Sequence, residues 1–573
     1  MDSHRWIVAL TAGAALCGCG QASKNAPAPA PAVANSMASM PMHAPTTLAE
    51  WAHGAQLFAG LGDFHRAITT SVPAAQQYFD QGMRMMWAFN HDEATRSFAR
   101  AAELDPACAA CYWGVSLTVG PNYNLPFMSA ERAQVAFDAL AKARQAASHA
   151  GAVEQALIEA LASRYPTAAP LDPATAAPVL TAYAGAMKAV ARKFPRDSDV
   201  QTLYAEALMN VNAWKLWSAD GKPTAGTDEI VATLEAVLAR DPKHPGANHY
   251  YVHTLEASPH PEKAVKSAER LKELMPAAGH MVHMPAHIMQ RVGRYEEAAE
   301  ANRRGVAADD AYVAHTQPPD YYAAMYSAHN YQFLAFSAAM EGRKAETILA
   351  ADGSRKAVDD ALLLAMPGAD WQVAELYTAR VRFGLWDELL AMPAPDARLP
   401  GMTVGYLYGR AMALAATGRI DEARAIAAKM QALSDSKQAE GGAGMNTVRD
   451  VLAVAIPVVR ARIANAEQQP DQALAALRQA IVAEDRLAYN EPSDWFFPVR
   501  QLLGAALLQA GKSAEAEQVY RQDLQRNPDN GWALFGLAAA LKAQGHAGAA
   551  DKVARQFDAA WKHADIVLTS SAF

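Results

Sequence analysis

Along most of this chain apolar residues recur at intervals of three and four, the spacing of one helix face, with small residues where two such helices would touch. From residue 75 the pattern predicts helices in pairs. Numbering from Ala75, bulky Tyr78 falls at position 4, Gly82 at 8, Ala94 at 20, Phe98 at 24, Ala101 at 27 and Pro106 at 32. Small residues at 8 and 20 let the paired helices approach, and the aromatic at 24 fills the gap to the next pair. With Pro528 set at position 32, Gly504, Ala516 and Tyr520 fall at 8, 20 and 24. GRYEEA (293–298) and GRIDEA (418–423) repeat the turn and the start of a second helix, with Ala298 and Ala423 at position 20.

This pattern resembles the tetratricopeptide repeat (TPR), whose period is about 34 residues. The resemblance is good for 75–120, 245–350, 404–435 and 497–560, and weak for 121–197 and 355–400. It implies an all-α fold, a TPR-type α-solenoid in which antiparallel helix pairs stack into a right-handed superhelix, here over 47–573. Single units cannot bury their apolar faces alone, so stacking makes one continuous array. In the family, positions 2, 5, 9, 12 and 13 line a concave groove that binds a ligand. Composition agrees with helix: alanine is abundant and β-branched runs are scarce. At 51% hydrophobic and 19% charged residues, disorder is excluded for most of the 573 residues. A net charge of −8 argues against a dedicated nucleic-acid binder, which should be basic.

The first residues form an address. Trp6 to Leu16 is an apolar run of 11 residues, too short for a spanning helix, which needs about 20, and suited to a secretory leader. It ends in Leu16-Cys17-Gly18-Cys19, which resembles a bacterial lipobox. The resemblance implies a lipoprotein signal over 1–19 with cleavage before Cys19, lipidation of Cys19, and, with Gly20 rather than Asp next, an outer-membrane anchor facing the periplasm; an ordinary secretory signal cut nearby is the alternative. Residues 20–46 then form an extended Ala/Pro tether; its Met37, Met40, Met42 and His43 are soft copper donors or simply part of the linker. Cys108 and Cys111 form a CxxC without a following His, which excludes c-type haem. A disulfide and a packed pair of small residues both remain open to them.

The candidate chemistry lies in the middle of the array. With Ala264 at position 20, His249, His253 and Glu256 fall at 5, 9 and 12. With Ala298 at position 20, His280, His283 and His287 fall at 2, 5 and 9, and His329 falls at 2 of the following repeat. All seven are groove-lining positions, whereas His260 lies in a turn. Two histidines four apart on a helix can share a metal. First helices of stacked pairs lie about 10 Å apart, so two of them can supply one ion. The expected ligand set is His249, His253, His283 and His287 on one transition metal (Zn, Cu, Fe or Ni). Glu256 is then ligand or catalytic base, with His280 and His329 completing the shell. The competing arrangements are a metal-free polar groove of histidines hydrogen-bonded to Glu256 and tyrosines, and histidines that fall there by coincidence or merely pack.

Weaker groove candidates are Glu206 and Asn210 at positions 9 and 13 of an earlier repeat, Asn122 and Asn124 in GPNYN, and Tyr250 and Tyr322 among the tyrosines at 250, 251, 321, 322 and 326. YNEPSDWFFP (489–498) reads as a loop in which Asp494 or Ser493 caps the next helix, Pro498 sits in its first turn, and Trp495 is either packed or an exposed contact. No P-loop, dinucleotide glycine fingerprint, GxSxG elbow or HExxH is present. The features predict a periplasm-facing lipoprotein that binds a peptide, protein or small ligand in its groove, with a metal at the histidines. A second expectation is a metal-dependent hydrolase or oxidoreductase in which metal-bound water is the nucleophile and Glu256 moves the proton. A third is a structural assembly factor of the outer membrane, which needs no histidines.

Overall fold

A computed structural model describes residues 45–172, 175–316 and 322–573. The leader, Cys19, nearly all of the tether with Met37, Met40, Met42 and His43, and Tyr321 lie outside the described residues. The described chain is an all-α solenoid of helix pairs; its only named strands are Gly442–Ala443 and Asn446–Thr447. Pro73–Trp87 pairs with His91–Leu104, Pro245–Leu255 with Val265–Leu274, Ala328–Met340 with Lys344–Lys356, and Val499–Gln509 with Ser513–Arg526. The stretch 355–400 is built of short helices such as Asp360–Ala365 and Trp386–Ala391, consistent with its degenerate repeat pattern. No described helix is long and apolar enough to cross a membrane.

The small-and-aromatic code is realised in packing. The Phe98 ring lies between Gly82 and Gly114, where an added Cβ would come within 2.6 and 2.5 Å of it. Tyr520 lies likewise between Gly504 and Gly536, at 2.3 and 2.1 Å. In GRYEEA and GRIDEA the turn is closed by Gly293 and Gly418 at φ of 78° and 80°, the left-handed region that favours glycine.

The array does not stay open. Its N-terminal end folds onto the middle repeats: Ala277 N donates to Gly60 O (3.0 Å) and Tyr326 Oη to Phe89 O (3.0 Å). Its C-terminal end does the same, with Trp532 Nε1 donating to Ala339 O (2.7 Å) and Phe496 packed on Phe336 at 5.6 Å. Two large cores result, one centred on the first half of the chain and one on the second.

This closure corrects the reading of 489–498. Asp494 does not cap a helix; it is buried and accepts from Met445 N (2.9 Å), Asn446 Nδ2 (2.6 Å) and Asn490 Nδ2 (2.7 Å). Ser493 is exposed, Pro498 precedes the helix as its cap residue, and the N–H of Val499 donates to Glu484 instead (3.1 Å). Trp495 is not an exposed contact, since it is buried edge-on against Tyr408 at 5.2 Å. Cys108 and Cys111 are joined by a disulfide at the start of Ala109–Thr118.

Candidate metal centre

Three successive first helices supply the histidines. Pro245–Leu255 begins with Pro at its first position, is capped by His244 Nδ1 accepting from Ala247 N, and carries His249 and His253 on one face. Gly279–His283 carries His280 and His283, and after Met284 the helix resumes at Pro285–Arg291 with His287. Ala328–Met340 carries His329. Because both chain ends close over these helices, the groove-register positions are core positions here. His249, His253, His280, His283 and His287 are 0–4% exposed, and His329 is partly buried.

The ligand atoms gather as two trios rather than as the expected foursome. His249, His253 and His280 form one and His283, His287 and His329 the other, the nitrogens of each lying within 4.8 Å of one another. In the first, His249 Nδ1 donates to Trp87 O (2.5 Å), which leaves its Nε2 lone pair facing His280 Nε2 at 3.1 Å. In the second, His283 Nδ1 donates to Asn302 Oδ1 (2.6 Å), and its Nε2 faces His287 Nε2 at 2.8 Å. The Asn302 amide is fixed by Nδ2 donating to Ala298 O (2.7 Å). His253 Nε2 and His280 Nδ1 are buried without a protein hydrogen-bond partner.

Glu256, 1% exposed, stands behind both trios. Its Oε1 is 3.1 Å from His253 Nδ1 and its Oε2 is 2.8 Å from His287 Nδ1. Glu491 Oε2 approaches the same His287 nitrogen at 2.6 Å. The His287 contacts have ion-pair distances without hydrogen-bond alignment. Carboxylates on Nδ1 orient an imidazole and raise the basicity of its other nitrogen, the usual outer-shell arrangement at metal sites. These carboxylates also form a further group with His287 that can hold an ion.

The surroundings are buried and aromatic. Phe89 lies 4.5 Å from the His249 ring and stacks near His253 and His280 at 5.6 and 5.8 Å. Tyr123 and Trp214 cover His253, and Phe333 packs on His283 and His287. Burial, reinforced by neighbouring imidazoles, holds His249, His280 and His283 well below the ordinary histidine range, and holds His329 at about 3. Burial lowers His253 as well, against the pull of Glu256. Burial opposes charge on His287 too, but Glu256 and Glu491 outweigh it and push it up to about 9. Glu256 is held at about 2 by His253 and His287 despite its burial, whereas burial raises Glu491 to about 7.

A small cleft, partly open to solvent, adjoins the first trio. Phe89, Asn122, Tyr322 and Tyr326 are among its walls, and the Tyr326 ring lies 5.1 Å from that of His280. Asn122 Oδ1 also accepts from the backbone N–H groups of Asn124 and Leu125 (2.9 Å each), so it shapes the turn. Tyr322 donates to Asp309 (2.9 Å). Tyr250 packs between Trp87 and Phe89. Glu206 and Asn210 bond to each other as a separate buried pair. Asn124 is partly buried and His260 lies on Glu262 in an exposed turn.

Glu491 and Asn302 escape a reading of the sequence by register. Glu491 comes from the irregular 489–498 loop. Asn302 did carry a signal: it occupies position 24, where the repeat expects an aromatic.

No protein-family model and no curated protein matches the chain. Among solved structures, a human IFIT1 dimer with m7Gppp-AAAA is 11% identical, at a TM-score of 0.30 over 92% of this chain and 98% of that one. An IFIT1 monomeric mutant with Gppp-AAAA is 12% identical, at 0.33 over 92% and 99%. Likenesses of this size bear on neither the site nor its ligand.

Proposed function

We propose that this chain is a metalloprotein of helical-repeat architecture, lipid-anchored through Cys19 on the periplasmic side of the outer membrane. It holds transition metal among the six histidines and takes a ligand through the adjoining cleft. One observation carries the metal. His249 and His283 each commit Nδ1–H to a fixed oxygen and aim a lone pair at another imidazole nitrogen, at 3.1 and 2.8 Å. A proton between each pair would relieve the repulsion but would leave His253 Nε2 buried and unpaired, at about 1–3 kcal/mol. A metal ion in the first trio accepts the lone pairs of His249, His280 and His253 together.

The test is elemental analysis of protein purified without a His-tag or added metal. Stoichiometric Zn, Cu, Fe or Ni is expected; protein that carries none and takes up none counts against the reading. For location, Cys19→Ala should release the protein into soluble fractions, and unchanged membrane association would count against the anchor. A second reading, a metal-dependent hydrolase or oxidoreductase, is favoured by the cleft walled by Tyr326, whose ring packs on that of His280. Fully loaded protein that neither hydrolyses activated esters nor consumes oxygen with a reductant would leave the binding role.

A further inference from the structure

We infer that the centre holds two transition-metal ions, one in each of two half-sites that the repeat itself duplicates. This rests on the metal reading above and adds the number of ions and the division of ligands between them. His249 and His253 are followed, each 34 residues on, by His283 and His287, which is the TPR period. Each half is therefore positions 5 and 9 of one repeat plus position 2 of the next: His249, His253 and His280, then His283, His287 and His329. The third ligand of the second half comes 49 residues after its counterpart, in part because the intervening helix Tyr295–Thr316 runs to 22 residues.

The supports of the ligands are duplicated as well. Each position-5 histidine has its Nδ1–H tied to an oxygen, Trp87 O in one half and Asn302 Oδ1 in the other. Each position-9 histidine has its Nδ1 against Glu256, which serves both halves from between them. The halves adjoin, with ring centroids 5.5 Å apart for His253 and His287 and 5.9 Å for His280 and His283. Among the described residues none of the close trios mixes imidazoles of the two halves, so a single ion would use one half and strand the other. Three imidazoles per ion leave a coordination position open, as in tri-histidine zinc sites. The open positions suit a small oxygen or nitrogen donor such as water, hydroxide or azide.

The experiment is a Co²⁺ titration of the full mature chain after chelator treatment, followed by visible absorption. Two tight equivalents are expected. His249→Gln with His253→Gln should leave one, His283→Gln with His287→Gln should leave one, and the four together none, with helical circular dichroism retained. One equivalent in the wild type, lost in both double variants, overturns the two-ion reading and leaves the metal reading standing. No binding overturns both. Anomalous scattering from Co²⁺-loaded wild-type crystals decides the same point if a variant fails to fold: two peaks are expected, and one peak overturns the inference.

Discussion

At the scale of single residues, Glu256 is the most consequential side chain that is not an imidazole. Its two oxygens meet the Nδ1 atoms of His253 and His287, a task an amide does badly, because its NH₂ end must face one of them. Glu256→Gln should weaken metal binding by about 10–100-fold with helical content unchanged, measured by competition against a chromophoric chelator. His91, in the wall of the cleft, sets a pH dependence of its own. Burial, aided by Arg164 and Arg132, lowers it to about 3, whereas the unfolded chain titrates near 6.5. Between those values the unfolded state binds the extra proton. The stability this neutral histidine contributes is thus complete above about pH 6.5 and lost as pH falls, at up to about 1.4 kcal/mol per pH unit. His91→Gln should flatten the acid limb of urea-denaturation stability between pH 6.5 and 5.

At the scale of helices, the pair is held by its position-24 aromatic. Phe98 is fully buried between two glycines, neither of which has a side chain to move into the space it fills. Phe98→Ala should cost about 3–5 kcal/mol, read from the shift in the denaturation midpoint at unchanged m-value. This level of organisation was legible in the sequence because repeat register fixes which residues share a face. Register also found His249, His253, His280, His283, His287 and His329 together. It could not find Glu491, since a proline-flanked loop has no periodicity to read. Nor could it tell that Trp495 and the histidines are buried, because that depends on contacts between segments distant in the chain, such as Trp532 with Ala339, 193 residues apart. Asn302 was readable only as a departure from the expected aromatic, a signal without meaning until His283 is seen against it.

At the scale of the molecule, closure rests on a few anchors. Trp532 is fully buried, donates to Ala339 O, and carries the Arg382 guanidinium 3.7 Å from its ring centre. Trp532→Ala should cost about 3–5 kcal/mol and loosen the C-terminal helices from the middle repeats. Limited proteolysis should then cleave within 489–498 faster than in the wild type. The same closure separates how tightly the centre holds an ion from how quickly it gives one up. Glu491 and Phe496 reach the middle repeats from late in the chain, Glu491 onto His287, so an ion in the second half-site leaves quickly only if that contact opens. Residence time there is then set by the rate of a folding fluctuation, and two chelators of very different strength should empty that half-site at the same slow rate.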